Sequence, residues 1–82
     1  MKTQDSAMLS LAEYVDLRTL QRAGEIPRVF PTVASLQWYI RMNRAALIEN
    51  GALILIANRQ RFHPHLFQQA VVEIGRITAA KR

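Results

Sequence analysis

Apolar positions recur along this chain in two rhythms, one near 3.6 residues and one near 2. From Ser10 to Gly24 (SLAEYVDLRTLQRAG), Leu11, Tyr14 or Val15, Leu17 and Leu20 return at roughly helical spacing, which predicts a first helix with one buried face. Ser10 and Glu13 have the S-x-x-E spacing of a capping box, and Leu9 and Tyr14 suit a hydrophobic staple across it. Gly24 ends the run. The residues before it, Met1 to Met8, are mostly polar and are expected to be frayed. Glu25 to Pro31 (EIPRVFP) follows as a connector, because Pro27 and Pro31 both oppose a continuing helix. Ile26, Val29 and Phe30 are apolar, so the connector is expected to press on the core.

Thr32 to Gly51 (TVASLQWYIRMNRAALIENG) is the longest helix-like run, and the chain is read as organised around it. Thr32 suits the N-cap, where its hydroxyl accepts an otherwise unpaired backbone N–H. Gly51, with Asn50 before it, suits the left-handed stop. At 100° per residue, Val33, Leu36, Ile40 and Leu47 fall on one stripe with Asn43 at its edge, while Trp38 and Met42 lie opposite, near Ser35. Gln37, Arg41 and Arg44 project from the flank between; Tyr39 and Ala46 mark the other flank. Trp38 carries two readings. Large aromatics are mostly buried, which favours a core position. With Met42 it would instead form a face kept for a partner.

The period then changes. Leu53 to Ile56 is a continuous apolar run of strand character. Asn58-Arg59 is read as a two-residue turn, since Asn tolerates positive φ, and Gln60 to His63 as the return strand. Phe62 is expected to turn inward and Arg61 and His63 outward, which leaves Asn58, Arg59, Gln60 and Arg61 at the tip. Pro64 fits the first position of a third helix with His63 as its cap. Phe67, Ala70, Val71, Ile74 and Ile77 or Thr78 form its core stripe, and Gln68, Gln69, Glu73 and Arg76 face water. Gly75 weakens that helix by about 1 kcal/mol against Ala. Lys81 and Arg82 suit the negative end of its dipole.

Composition sharpens this outline. Eighty-two residues, half of them hydrophobic, suit one globular domain. Eleven Lys and Arg face six Asp and Glu, a formal charge of +5, and nine of the eleven are Arg. Arg carries a planar fork that bonds phosphate or guanine in two places at once, so a basic small domain of this kind points towards nucleic acid. There is no Cys, hence no disulfide framework and no thiolate zinc site. The longest unbroken apolar run, Ala52 to Ala57, falls far short of the roughly 20 residues a membrane span requires. Met1 to Gln4 lack the apolar core of a signal peptide. A soluble cytoplasmic protein is the expectation.

Catalytic chemistry finds little to use. His63 and His65 are the only histidines, and Glu73 is the nearest downstream carboxylate, so no metal set is assigned. Ser6, Ser10 and Ser35 show no His–Asp partners. The three Gly are isolated, so there is no phosphate loop. The chain is read as a non-enzyme without cofactor or metal.

One resemblance then organises these parts. The order LAEYVDL, then VFPTVASLQWYIRMNRAALIENGALI, then an Arg-bearing hairpin, then HPHLFQQAVVEIG resembles the excisionase-like winged helix-turn-helix proteins. These are small DNA-binding proteins of phages, plasmids and integrative elements, related in fold to the MerR-type DNA-binding domain. The carrying motifs are Ser35-Leu36-Gln37-Trp38 on the recognition helix and Gly51-Ala52-Leu53 at the entry to the wing. Gln37 stands where a basic residue is frequent, and the wing reads Ala57-Asn58-Arg59-Gln60-Arg61 without the Gly-Arg-Arg often found there.

The resemblance implies a mainly α fold with a small β-hairpin: three helices plus a wing in a single domain over residues 9–80. It implies double-stranded DNA as partner, with an integrase or a second copy on an adjacent site as further candidates, and no membrane or small-molecule substrate. Helix two would enter the major groove, where Ser35, Gln37 and Arg41 reach base edges. Arg44 and the wing residues Asn58, Arg59 and Arg61 would meet phosphates or the neighbouring minor groove. Thr32 and the free N–H groups at the helix start suit a phosphate. The role implied is an excisionase-type factor or a transcriptional regulator of a mobile element. The rival expectation is a small protein-interaction module, such as a phage-encoded inhibitor or adaptor, that docks through Trp38 and Met42.

Overall fold

A computed structural model of the chain describes residues 10–81. Expectations that rest on Met1 to Leu9 (the frayed terminus and the Leu9 half of the staple) or on Arg82 lie outside the described residues. Those described form a mainly helical unit with one two-stranded antiparallel sheet. Its helices are α1 (Leu17–Gln21), α2 (Ile26–Val29), α3 (Val33–Met42), α4 (Arg44–Asn50) and α5 (Pro64–Ala80); its strands are β1 (Leu53–Ile56) and β2 (Arg59–Phe62). Where three helices are expected, the described residues hold five, because the run from Thr32 to Gly51 is split in two and the connector forms a helical turn of its own.

The run from Thr32 begins as its sequence implies. Thr32 Oγ1 accepts the Ser35 N–H at 3.1 Å, and Ser35 Oγ accepts the Thr32 N–H at 3.3 Å, a reciprocal capping box. Leu36 and Ile40 are buried on the stripe that periodicity assigns to them. The helix does not run unbroken to Gly51. At Asn43 the backbone leaves helical geometry (φ −122°, ψ 26°), and the side-chain amide and backbone N–H both donate to the Tyr39 carbonyl, each at 3.0 Å. A short polar side chain that competes for backbone carbonyls favours such a break. Helix α4 then buries Leu47 and ends at Gly51, with φ 88°. Ala52 N–H closes on the Leu47 carbonyl at 3.0 Å in a Schellman arrangement.

The predicted first helix is the larger correction. Leu11–Glu13 form one 3-10 turn, Tyr14 to Asp16 are extended, and α1 starts only at Leu17. Two forces favour this. Asp16 Oδ1 accepts the Thr19 N–H at 2.9 Å, so Asp16 caps a helix instead of sitting inside one. Val15, stiff and β-branched, exchanges both backbone hydrogen bonds with Phe62 at 2.8 Å and so covers the free edge of β2. The Ser10–Glu13 capping box does not form: Ser10 Oγ accepts from the Ala12 N–H, and the Glu13 carboxylate lies 3.4 Å from His63 Nε2. Leu11 is 70% exposed, so it leaves the expected stripe, whereas Leu20 is fully buried. In the connector Ile26 and Phe30 press on the core, but Val29 faces outward, and one helical turn (α2) forms around Pro27.

The hairpin turn lies one residue earlier than expected. Ala57 (φ 52°) and Asn58 (φ 66°) occupy it, and Arg59 enters the ladder opposite Ile56. Two successive left-handed residues match the twist of a two-residue hairpin, and Asn accepts that geometry better than Arg does. Phe62 points inward as expected, opposite Leu53. His63 does not point outward: it is buried, because it leaves the strand to cap α5, with Nδ1 accepting the Leu66 N–H at 3.2 Å. Helix α5 buries Phe67 and Ala70 and half-buries Val71 and Ile74. Ile77 and Thr78 are exposed, so its stripe runs out one turn earlier than the periodicity implies. The core gathers Leu20, Ile26, Phe30, Leu36, Ile40, Leu47, Leu53, Phe62 and Phe67 into one cluster. No helix among the described residues is long and apolar enough to cross a membrane.

Candidate nucleic-acid interface

The side of α3 that looks towards the hairpin carries hydrogen-bonding side chains. Leu36 and Ile40 define its buried face. At 100° per residue, Gln37 and Arg41 stand on one flank. Together with Arg44 from α4, Leu17 from α1 and Gln60 from β2, they line a shallow depression of about 270 Å³ whose floor includes Ile40. Two guanidinium groups and two amides therefore ring an apolar floor, and no acidic residue lines it. Among the described residues the ion pairs of Arg or Lys are Arg28–Glu25 and Arg76–Glu73. Arg41, Arg44 and Arg59 enter none of them, so their charges face outward.

The hairpin stands beside this flank because β2 is anchored on both edges. Phe62 pairs with Leu53 on one side and Val15 on the other. Alternation places Gln60 on the same face as Phe62, towards α3, and sets Arg59 and Arg61 on the opposite face of the ribbon. The Val15–Phe62 pairing brings Asp16 opposite Arg61. Backbone and side-chain hydrogen bonds from Thr19 hold the Asp16 carboxyl below its ordinary value, and the Arg61 and Arg18 charges add to that. Arg61 thus shares its field with a carboxylate, whereas Asn58 and Arg59 stand exposed at the tip.

The sequence-predicted residues divide into three groups. Gln37, Arg41 and Arg44 come together in the depression. Asn58, Arg59 and Arg61 are on the adjacent hairpin, and Arg61 is partly covered. Thr32 and Ser35 are joined to each other in the capping box, and the Ser35 hydroxyl also donates to the Thr32 carbonyl at 2.8 Å. Ser35 lies about 200° around the helix from Gln37, on the Tyr39 flank. Both hydroxyls have a structural use, and neither lines the depression. Gln60 and Leu17 line it and were not expected there. The signal for Gln60 was available, since it is two residues from the inward-facing Phe62.

Trp38 is not a core residue. It is 57% exposed and Met42 is 62% exposed. The geometry explains this: Trp38 stands 200° from Leu36, diametrically away from the core. Comparisons of the chain with family models, curated proteins and solved structures each returned no match.

Proposed function

We propose that the chain binds double-stranded DNA as a winged helix-turn-helix protein, with α3 as the recognition helix and the β1–β2 hairpin as the wing. Its role would be that of an excisionase-type architectural factor or a transcriptional regulator of a mobile element. One observation carries the reading: Gln37, Arg41 and Arg44 line a single acid-free depression with the hairpin's Gln60, on a chain of formal charge +5. One duplex could meet both elements at once. Phosphate neutralisation would supply most of the affinity. Gln37 suits adenine and Arg41 suits guanine, each through two hydrogen bonds, while Arg44 and Arg59 suit phosphates.

A binding titration at several salt concentrations, on a selected duplex and its scrambled counterpart, tests this. Arg41→Ala is expected to lower affinity for the selected duplex by about 1–3 kcal/mol and to relax sequence preference. Arg59→Ala is expected to weaken both duplexes alike and to lower the salt slope by about one. Binding that is absent, or indifferent to salt, would remove the proposal. The second reading, a protein-docking module, rests on the exposure of Trp38 and Met42, and it moves ahead in that event.

A further inference from the structure

The outward ridge of α3 is apolar, although it borders the cationic depression. Taking Leu36 and Ile40 as the buried face, helical spacing puts Ala34, Trp38 and Met42 on the far side, all of them exposed. Arg41 lies between this ridge and the depression, and Gln37 lies just inside the depression. A helix that enters a groove with its wing alongside presents both regions together. The hydrogen-bonding flank then meets one part of the base edges and the Trp38 ridge meets another.

The major groove offers one apolar group to such a ridge, the 5-methyl of thymine. We infer that Trp38, with Met42 one turn further on, reads thymine methyl groups in the target duplex; this rests on the DNA-binding reading above. The adjacent amide strengthens the assignment. An A·T pair displays adenine N6 and N7 to an amide such as Gln37 and displays the methyl of its thymine beside them. Neighbouring residues on α3 could then read both halves of an A·T-containing step. The exposed indole and thioether would be dehydrated only in the specific complex. They would therefore contribute to sequence preference and not to general attraction for phosphates.

The experiment uses the full chain and a duplex selected from a randomised pool, made once with thymine and once with deoxyuridine throughout. Fluorescence anisotropy gives Kd for each at several salt concentrations. The wild type is expected to lose about fourfold in affinity for each methyl it contacts, the factor that corresponds to burial of one methyl-sized group. Trp38→Phe keeps an apolar ring and should keep that loss. Trp38→Ala should lose the share of that preference that the indole supplies and keep only the share from Met42, with the salt slope of the wild type. Circular dichroism confirms that both variants are folded. A wild type indifferent to deoxyuridine overturns the inference, as does a Trp38→Ala variant that retains the full thymine preference. In both cases salt-dependent binding would leave the DNA reading standing, whereas no salt-dependent binding to any duplex overturns the two together.

Discussion

His63 is the residue where the hairpin, the amino-terminal arm and the last helix are joined, and its replacement offers a quantitative test of the fold. It is 6% exposed. Its Nδ1 accepts the Leu66 N–H at 3.2 Å, its Nε2 lies 3.4 Å from Glu13 Oε1, and its ring meets Tyr14 edge-on at 5.2 Å. Its backbone N–H donates to the Ala52 carbonyl at 2.9 Å, which a substitution leaves in place. His63→Ala removes the α5 cap, at about 1 kcal/mol, and empties a buried ring site, at about 2 kcal/mol after partial relaxation. The expected sum is about 3 kcal/mol, a fall in Tm of about 12–24 °C for a domain of this size. His63→Asn restores an acceptor at the cap without refilling the ring site, so it should recover about 1 kcal/mol of that loss. Urea unfolding followed by far-UV circular dichroism measures both, since the exposed Trp38 is a poor fluorescence reporter of the core. A loss below about 1 kcal/mol for Ala, or an Asn variant no better than Ala, would refute the assignment of His63 as a buried cap.

The remaining predictions concern the backbone, the arm and the interface. Gly75 sits inside α5 with open space where a Cβ would go, so Gly75→Ala should stabilise by about 0.5–1 kcal/mol in the same urea assay. Gly51 is held at φ 88°, so Gly51→Ala should cost about 1–2 kcal/mol although Leu66 leaves room for the methyl. Equal signs for the two would contradict the assigned dihedrals. The Asp16 carboxyl is held below its ordinary value of 3.8, so the folded chain binds that proton less readily than the unfolded chain. Its contribution to stability is therefore present above that pH and is lost as pH falls through and below it. Asp16→Asn should flatten the acid limb of the stability profile between about pH 5 and pH 2, and an unchanged limb would sink the assignment. In a double-mutant cycle on duplex binding, Arg41→Ala and Gln60→Ala should be non-additive because both line one depression, whereas Arg41→Ala and Arg59→Ala should add. The reverse pattern would contradict the proposed placement of the hairpin, with Gln60 towards the duplex beside Arg41.

How much of this was legible in the chain depended on whether one force acted alone. The start and stop of the run from Thr32 to Gly51 were readable, because a capping hydroxyl and a left-handed glycine act locally. So was the inward placement of Phe62, and so was His63 as a cap. The break at Asn43 was not, since it depends on how a side-chain amide competes with the helix ladder. The first helix failed for a non-local reason. Its amino-terminal part follows helical spacing, yet Val15 is worth more as a partner for the free edge of β2, a strand some 45 residues away along the chain. Asp16 tips the same choice locally. Gln37, Arg41 and Arg44 were found as one flank from periodicity alone, because they lie on one continuous face of α3 and α4. Thr32 is legible as the N-cap, whereas the DNA-facing roles of Thr32 and Ser35 are only what the resemblance implies. Their hydroxyls close the capping box, which the S/T-x-x-E/Q signature does not reveal when Ser replaces the acid.

The position of the turn shows how a single local preference shapes the candidate interface. With Ala57 and Asn58 in the turn, Phe62 pairs with Leu53, and three further pairs carry the ribbon beyond the core to Ile56–Arg59. With Asn58 and Arg59 in the turn, Phe62 would pair with Leu55, since moving a two-residue turn by one position moves every partner by two. Only two pairs would then extend past Phe62, and the hairpin would be shorter by about 3.3 Å. Leu55 would be drawn towards the core, whereas it is 57% exposed here, opposite Gln60. Arg59 would also sit in the turn, with its direction unassigned by the ladder. In the observed register it occupies the last ladder pair and shares a face with Arg61, while Gln60 alone turns towards α3. The hairpin therefore shows an amide to α3 and guanidinium groups to its far side. On the proposed DNA-binding reading, that division would add a hydrogen-bonding group beside the Gln37–Arg41 flank and keep the hairpin's charge for the phosphate backbone.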